Sequence, residues 1–286
     1  PTGGAVRQLM VTVQELLRSG ADLPTESARR DTEILLCHCL GRPRAWLYTW
    51  PEKEVSPDCA QHFRQLLDRR RTGLPVAYIT GEREFWSLQL AVNSATLIPR
   101  PETETLVAWA LELPLPETAS VLDLGTGCGA IALAVASERP NWQVTAIDAS
   151  SQALQVARAN AARASLQRVS FLQSNWYEAV GAQRFDLLLA NPPYIDEDDP
   201  HLARGDVRFE PRSALVAAEG GLADLDYLVK AGPARLIDGG WLLLEHGFEQ
   251  ADAVRGMLLY AGFRQVSTRR DMAGQERISG GCWHAD

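Results

Sequence analysis

From residue 119 onward, short apolar runs alternate with helical segments, and this alternation restricts the possible folds more than any other feature of the chain. Strands are expected at 119–124, 143–148, 168–173, 185–190 and 240–246, with helices at 129–138, 151–164, 222–237 and 249–261. A run such as Phe185-Asp186-Leu187-Leu188-Leu189-Ala190 is apolar on both faces, as a strand buried between two helical layers must be. This spacing implies parallel strands joined by right-handed crossovers. The tail breaks the rhythm. Segments 263–269 and 276–283 are separated only by the turn Asp271-Met272-Ala273-Gly274, so they read as a hairpin. The expected class is therefore α/β, with a mostly parallel sheet whose last strand runs antiparallel.

The first part of the chain follows a different period. Val6, Leu9, Met10, Val13, Leu16 and Leu17 keep helical spacing and predict a helix over 6–19. A second helix is expected over about 25–40, ending at Gly41. A third starts with Ser56 as N-cap, Pro57 in the first turn and Asp58 beside it. It runs through Phe63, Leu66 and Leu67 to Arg69-Arg70-Arg71, where positive charge suits the helix C-terminus. Gly73 and Pro75 stop it. Residues 1–75 thus form a small helical domain, 76–105 a hairpin and linker, and 106–286 the α/β domain. Within the linker Phe85 to Val92 looks extended, with Asn93-Ser94 as the expected hairpin turn, and Pro101 opens the next helix with Glu102 and Glu104 in its first turn.

The chain carries a net charge of -8, which counts against tight non-specific binding to duplex nucleic acid. No stretch approaches the roughly 20 apolar residues that span a bilayer. The start at Pro1 lacks Met, so it is either processed or not the native start, and no secretory-leader pattern is seen there. Five scattered cysteines, Cys37, Cys39, Cys59, Cys128 and Cys282, fit reduced thiols in a cytoplasm better than a disulfide frame. Cys37-His38-Cys39 with His62 invites a metal reading. Three consecutive helical residues point to different faces, however, so no metal is expected.

Two motifs carry chemistry. The first is Asp123-Leu124-Gly125-Thr126-Gly127-Cys128-Gly129, between an expected strand and helix, where glycines let a ligand approach the main chain. It also fits the dinucleotide fingerprint G-x-G-x-x-G/A. Asp148 closes the next strand, where a carboxylate accepts from ribose hydroxyls of either NAD or S-adenosylmethionine. Asp123 shifts the balance: a carboxylate just before the first glycine repels a pyrophosphate but suits the ammonium or sulfonium side of S-adenosylmethionine. The second motif is Asn191-Pro192-Pro193-Tyr194, after the expected strand 185–190. A nitrogen conjugated to a carbonyl or aromatic ring is a poor nucleophile. The Asn191 side-chain oxygen and the Pro192 carbonyl can accept its two N–H groups, while the prolines stiffen the segment and Tyr194 stacks on the flat target. Trp176, after the third strand, can cover an adenine ring.

Together these residues resemble the HemK/PrmC family, the glutamine methyltransferases of peptide chain release factors. The resemblance runs through Arg29-Arg30-Asp31-Thr32-Glu33-Ile34-Leu35-Leu36 and Glu82-Arg83-Glu84-Phe85-Trp86-Ser87-Leu88. It continues in Leu97-Ile98-Pro99-Arg100-Pro101-Glu102-Thr103-Glu104, the glycine turn, Asn191-Pro192-Pro193-Tyr194-Ile195 and Asp206-Val207-Arg208-Phe209-Glu210-Pro211. It implies a Rossmann-like class I methyltransferase sheet behind a small N-terminal helical domain. The implied reaction moves a methyl group from S-adenosylmethionine to the side-chain amide nitrogen of the Gln in the Gly-Gly-Gln motif of bacterial class 1 release factors, leaving S-adenosylhomocysteine. By the same resemblance Gly125, Thr126, Gly127, Cys128, Gly129, Asp148, Trp176 and Asn191 contact the cofactor. Asn191, Pro192, Pro193 and Tyr194 hold the glutamine. Asn175 stands where close relatives are expected to carry Asp, and its amide can still serve adenine.

Further expectations concern the partner and the rival classes. Arg100 is assigned to the substrate loop, with an ion pair to Glu102 or Glu104 as the alternative. Glu245-His246 is expected to act behind the site. The helical domain is expected to recognise the release factor, since one Gln side chain cannot specify a target. The protein is expected to be a cytoplasmic monomer without direct nucleic-acid or membrane contact. A methyltransferase acting on adenine N6 of nucleic acid is the alternative. A nicotinamide-dependent oxidoreductase is the more distant one, and no hydride-transfer residue set accompanies its fingerprint.

Overall fold

The computed structural model describes residues 10–285. They divide into two compact units, one made of 10–81 with Ala203–Phe209, the other of Glu82–Leu202 with 210–285.

In the first unit β1 (Val11–Thr12) pairs antiparallel with β2 (Glu54–Val55), and the helices are α1 (Val13–Arg18), α2 (Ala28–Leu40), α3 (Arg44–Thr49), α4 (Pro57–Arg71) and α5 (Val76–Thr80). The helix expected over 6–19 begins only at Val13. Thr12 caps it through a reciprocal pair with Glu15, which satisfies two first-turn N–H groups and stops the helix from extending upstream. Val6 and Leu9 lie outside the described residues. Ser56 caps α4 as its sequence suggests, accepting from Cys59 N. Val13, Leu16, Leu35, Leu36, Leu47, Phe63 and Leu67 fill the core. Beside them Arg70, almost fully buried, gives Nε to Asp31 (2.7 Å) and Nη1 to Asp206 (2.9 Å), so the segment 203–209 is fastened by charge-assisted bonds.

The second unit begins with a hairpin, β3 (Glu82–Phe85) and β4 (Leu88–Ala91), followed by a tight turn at Pro101–Thr103 and α6 (Glu104–Glu112). Its sheet alternates with helices: β5 (Ser120–Leu124), α7 (Ala130–Glu138), β6 (Gln143–Asp148), α8 (Ser151–Arg163), β7 (Ser170–Gln173), β8 (Phe185–Ala190), α9 (Ala218–Gly221), α10 (Ala223–Ala231), β9 (Leu236–Glu245), α11 (Ala251–Tyr260), β10 (Arg264–Arg270) and β11 (Glu276–Cys282). The strand order is β10-β11-β9-β8-β5-β6-β7. Only β11 runs against the others in this sheet, as the closing hairpin predicts. Leu122, Leu124, Leu188, Leu242 and Leu244 turn one face toward Leu225, Leu228, Val254 and Leu258 of α10 and α11.

Two expectations for this second unit need correction. The hairpin turn is Trp86-Ser87, not Asn93-Ser94. Both turn residues adopt left-handed φ (51° and 61°), a conformation that costs a non-glycine residue energy. Outside contacts hold it: Trp86 N donates to Glu104 Oε1 (2.9 Å) and its indole Nε1 to Glu138 Oε1 (2.8 Å). The helix expected over 222–237 ends at Ala231, because Pro233 forces the tighter turn Gly232–Arg235, and β9 then starts at Leu236.

Asn160 of α8 is buried and joins the hairpin to the turn after β5. Its Oδ1 accepts from Ala91 N (2.7 Å), and its Nδ2 donates to the carbonyls of Ala91 (3.0 Å) and Cys128 (2.9 Å). Replacing it with Ala strands these backbone groups. Asn160→Ala should lower stability by about 2 kcal/mol or more, read as an earlier midpoint in urea. An unchanged midpoint would show that water replaces the amide.

Candidate active site

Parallel pairing sets the site. Leu124 lies opposite both Ile147 and Ala190, and Asp148 opposite Gln173, so the chain leaves β5, β6, β7 and β8 side by side. Over these strand ends lies a cavity of about 430 Å³, where open α/β sheets bind ligands. Gly125 and Gly127, Asp148, Asn175 and Trp176, and Asn191 and Pro193 come to its wall from the four strand ends. The segments 94–97 and 211–214 close the remainder, with Gln152 and Asp224.

The glycine turn is bare where it needs to be. Gly125 has φ +75°, and a Cβ there would lie 3.4 Å from the Trp176 ring. Gly125 N and Thr126 N both donate to Ile147 O, which clips the turn to β6. Gly127 N donates to Asp148 Oδ2 (2.9 Å) and Ser150 N to Oδ1 (2.8 Å). Burial raises the Asp148 carboxyl above its ordinary value, opposed by these two N–H bonds.

Asp123, Thr126, Cys128 and Gly129 stand behind the turn rather than on the cavity wall. Asp123 Oδ2 accepts from Thr126 Oγ1 (2.6 Å) and Ala132 N (3.2 Å), while Oδ1 is buried without a partner among the described residues. Complete burial pushes this carboxyl up to about 7 against those bonds. Burial likewise pushes the Cys128 thiol up to about 12, which makes it a packing residue and not a nucleophile.

After β8, Asn191 Nδ2 donates to Thr103 Oγ1 (3.3 Å). Pro192 is buried, and neither it nor Tyr194 lines the cavity. The Tyr194 hydroxyl donates to Glu245 Oε1 (3.3 Å), and its carbonyl accepts from Gln250 Nε2 (3.0 Å). Trp176 adopts φ +46° and gives Nε1 to Asp224 Oδ1 (3.1 Å), and Asn175 gives Nδ2 to Glu178 Oε1 (2.9 Å). Arg100 pairs with Glu210, rather than with Glu102 or Glu104, among the described residues. Buried Glu210 also accepts from Ile98 N (2.9 Å), so it ties the two segments that close the cavity.

Comparison with known proteins decides the family. A model of the PrmC N-terminal domain matches residues 12–81, and one of the methyltransferase small domain matches 103–209. The release factor glutamine methyltransferase of Shewanella oneidensis is 54% identical over 259 residues, 91% of each chain. That of Escherichia coli is 48% identical over 260 residues, 91% of this chain and 94% of the relative. The chain belongs to the release factor glutamine methyltransferase family. A crystal structure of a methyltransferase from Pyrococcus furiosus shares the fold, with TM-score 0.54 and 18% identity over 78% of this chain and 98% of that one.

As a member of the release factor glutamine methyltransferase family, the chain keeps some parts of its site out of sight in the sequence. Glu210 and Thr103 lie inside segments that carry the family resemblance, yet nothing in their spacing assigns them a task. Gln250 and Asp224 carry no signal at all, because their partners are a carbonyl and an indole far along the chain. His246 proves to be internally satisfied: its ring nitrogens meet Ser279 Oγ and Gly247 O, both at 2.8 Å, and burial lowers its pKa. Among the described residues no group of three or more His, Cys, Asp or Glu could hold a metal ion, and no helix is long and apolar enough to cross a membrane.

Asp123 makes a pH test of the turn. Its carboxyl ionises near 3.8 when exposed and near 7 in the fold. The native state therefore holds a proton that the unfolded chain has released, and stability falls as pH rises through that window. Asp123→Asn should flatten this part of the pH profile of thermal unfolding. A profile as steep as that of the parent protein would remove Asp123 as its source.

Proposed function

We propose that this chain transfers a methyl group from S-adenosylmethionine to the side-chain amide nitrogen of the Gln in the Gly-Gly-Gln motif of class 1 peptide chain release factors, releasing S-adenosylhomocysteine. The observation that carries this reading is the pairing of β5 with β8, which puts the bare glycine turn and Asn191 on one cavity wall. Family membership supplies the acceptor.

The residues fit the donor. The cavity has the volume usual for a ligand of that size, and Gly125 on its wall holds a left-handed φ of +75° that a residue with a side chain rarely adopts. Each Asp148 oxygen accepts one main-chain N–H, which leaves lone pairs for ribose hydroxyls. The indole of Trp176 offers a face for adenine and the Asn175 amide an edge contact. When bound, S-adenosylmethionine supplies an electrophilic methyl group.

The protein's own task is positioning. Asn191 Oδ1 on the cavity wall and the main-chain carbonyl of buried Pro192 next to it would accept the two N–H groups of the glutamine amide and so hold its nitrogen toward a bound donor. On transfer the amide nitrogen would take the methyl group from the sulfonium, which would leave as the neutral thioether, and the amide would shed its proton to solvent as or after that. No strong base is needed before attack. Fixing two reactants in this way is worth effective molarities on the order of 10⁵ M or more. Closure against water favours a step in which the sulfonium charge disperses. The first unit supplies the further contact surface by which a release factor is selected. Five cysteines, none in a disulfide among the described residues, suit work in the reducing cytoplasm.

The test is transfer of labelled methyl to purified release factor, beside a version with Gln changed to Ala in the Gly-Gly-Gln motif. Label on the first alone is expected; label on neither overturns the reading. Asn191→Ala should still bind S-adenosylmethionine in calorimetry yet turn over about 10²-fold more slowly, as for loss of one key polar contact. Near-normal turnover would remove Asn191 from the clamp. Asp148→Ala should weaken donor binding about tenfold or more, since charged hydrogen bonds to ribose are lost. Unchanged binding would assign the ribose elsewhere.

A further inference from the structure

Pro192 and Pro193 carry no N–H, so the centre of the acceptor clamp cannot be tied down by main-chain donors of its own. It has to be held at its two ends. At the first, Asn191 leaves β8 and gives Nδ2 to Thr103 Oγ1 (3.3 Å). At the second, the Tyr194 hydroxyl reaches Glu245 Oε1 (3.3 Å), and the Tyr194 carbonyl accepts from Gln250 Nε2 (3.0 Å). The hydroxyl anchors a ring; Gln250 holds the main chain.

We propose that Gln250 is a positioning residue that fixes the Tyr194 end of the clamp and thereby sets where the Pro192 carbonyl meets an acceptor amide. This rests on the function proposed above. Gln250 stands at the N-cap of α11 and uses both ends of its carboxamide. Oε1 accepts from Gly247 N (2.8 Å), while Nε2 donates to the carbonyls of Tyr194 (3.0 Å) and Gly220 (3.3 Å). A main-chain N–H only donates and a carbonyl only accepts, so one orientation of the amide satisfies all three. Gly247 N sets that orientation, and Tyr194 O receives a donor as a result. One side chain thus joins the clamp after β8, the turn after β9 and the run before α10.

The backbone around this joint is shaped to reach it. Within the short α9, Glu219, Gly220 and Gly221 all take left-handed φ (56°, 67° and 81°), which is costly for Glu219. The run brings its main chain hard against the clamp: a Cβ at Gly221 would lie 2.1 Å from Tyr194 O and 2.9 Å from Gln250 Nε2. Just beyond, Ile195 N donates to Leu215 O (2.9 Å) and Ala217 N to Ile195 O (3.0 Å). Tyr194 is therefore gripped where the clamp ends. With φ fixed at both prolines, little rotation is left to absorb a shift of Tyr194 before it reaches the Pro192 carbonyl.

The experiment uses full-length Gln250→Glu and Gln250→Met with two readouts. Glu keeps the acceptor for Gly247 N but sets a carboxylate against two carbonyls; Met keeps the length and offers neither end. The first readout is methyl transfer to release factor beside S-adenosylmethionine affinity by calorimetry. Gln250 does not line the cavity, so in both variants kcat should fall about tenfold or more, while KM for release factor and donor affinity change by less than about twofold. The second readout needs no activity. Hydrogen exchange at Ile195 N–H, followed by NMR, should quicken in both variants while the amides of β5 keep the parent's rates. A kcat that Met leaves intact, or exchange at Ile195 that neither variant alters, overturns the proposal. So does a joint fall of kcat and donor affinity, which is what general loss of structure produces. A parent protein that methylates no release factor, yet whose Ile195 exchange quickens in Gln250→Met, overturns the function instead and leaves the tether standing.

Discussion

The site depends on β5 being paired in parallel on both sides. With Leu124 opposite Ile147 and Ala190, the turn after β5 has the end of β6 on one flank and the start of Asn191-Pro192 on the other. A slip of one residue would turn every side chain to the opposite face. Asp123 would leave the layer of α7, where it caps Ala132, and Gly125 would lose the Ile147 carbonyl that holds it. The leucines that lock this register are ordinary core residues. Their effect on chemistry comes from which strand ends they bring level.

Around that frame, carboxylates act as internal fasteners, Asp123, Glu210 and Glu245 buried and Asp148 half-buried on the cavity wall. Asp123 gathers the glycine turn and the first turn of α7. Asp148 gathers Gly127 and Ser150, and Glu210 gathers Ile98 and Arg100. Glu245 receives the hydroxyl of Tyr194. A buried carboxylate is costly unless donors converge on it, so each fixes the segments that supply those donors. Several main-chain loops are held in this way without regular secondary structure.

The α/β alternation, the closing hairpin and the two motifs were legible because they depend on period and on local turn chemistry. Phe185 to Ala190 reads as a buried strand on composition alone, and Ser56-Pro57 marks a helix start. The Trp86-Ser87 turn was not legible, since neither residue favours left-handed φ and the carboxylates that stabilise it lie at Glu104 and Glu138. The partner of Arg100 was hidden for the same reason: Glu210 is 110 residues away, and local spacing favoured Glu102 and Glu104. At the site, the glycines and Asn191 announce themselves. Thr103, Asp224 and Gln250 do not, because their roles arise only when distant strands and loops meet.

That hairpin turn has a consequence for the order of assembly. Lacking glycine or asparagine at its centre, it has little tendency to form in an isolated segment. It needs Glu104 from α6 and Glu138 from α7, and the far end of β4 needs Asn160 from α8. The chain that follows β4 directly, 94–97, is part of the cavity wall. A polypeptide made from its N-terminus therefore carries this stretch unfinished until residues well beyond it have left the ribosome. Binding competence arrives late in synthesis, after most of the α/β unit exists to receive the hairpin.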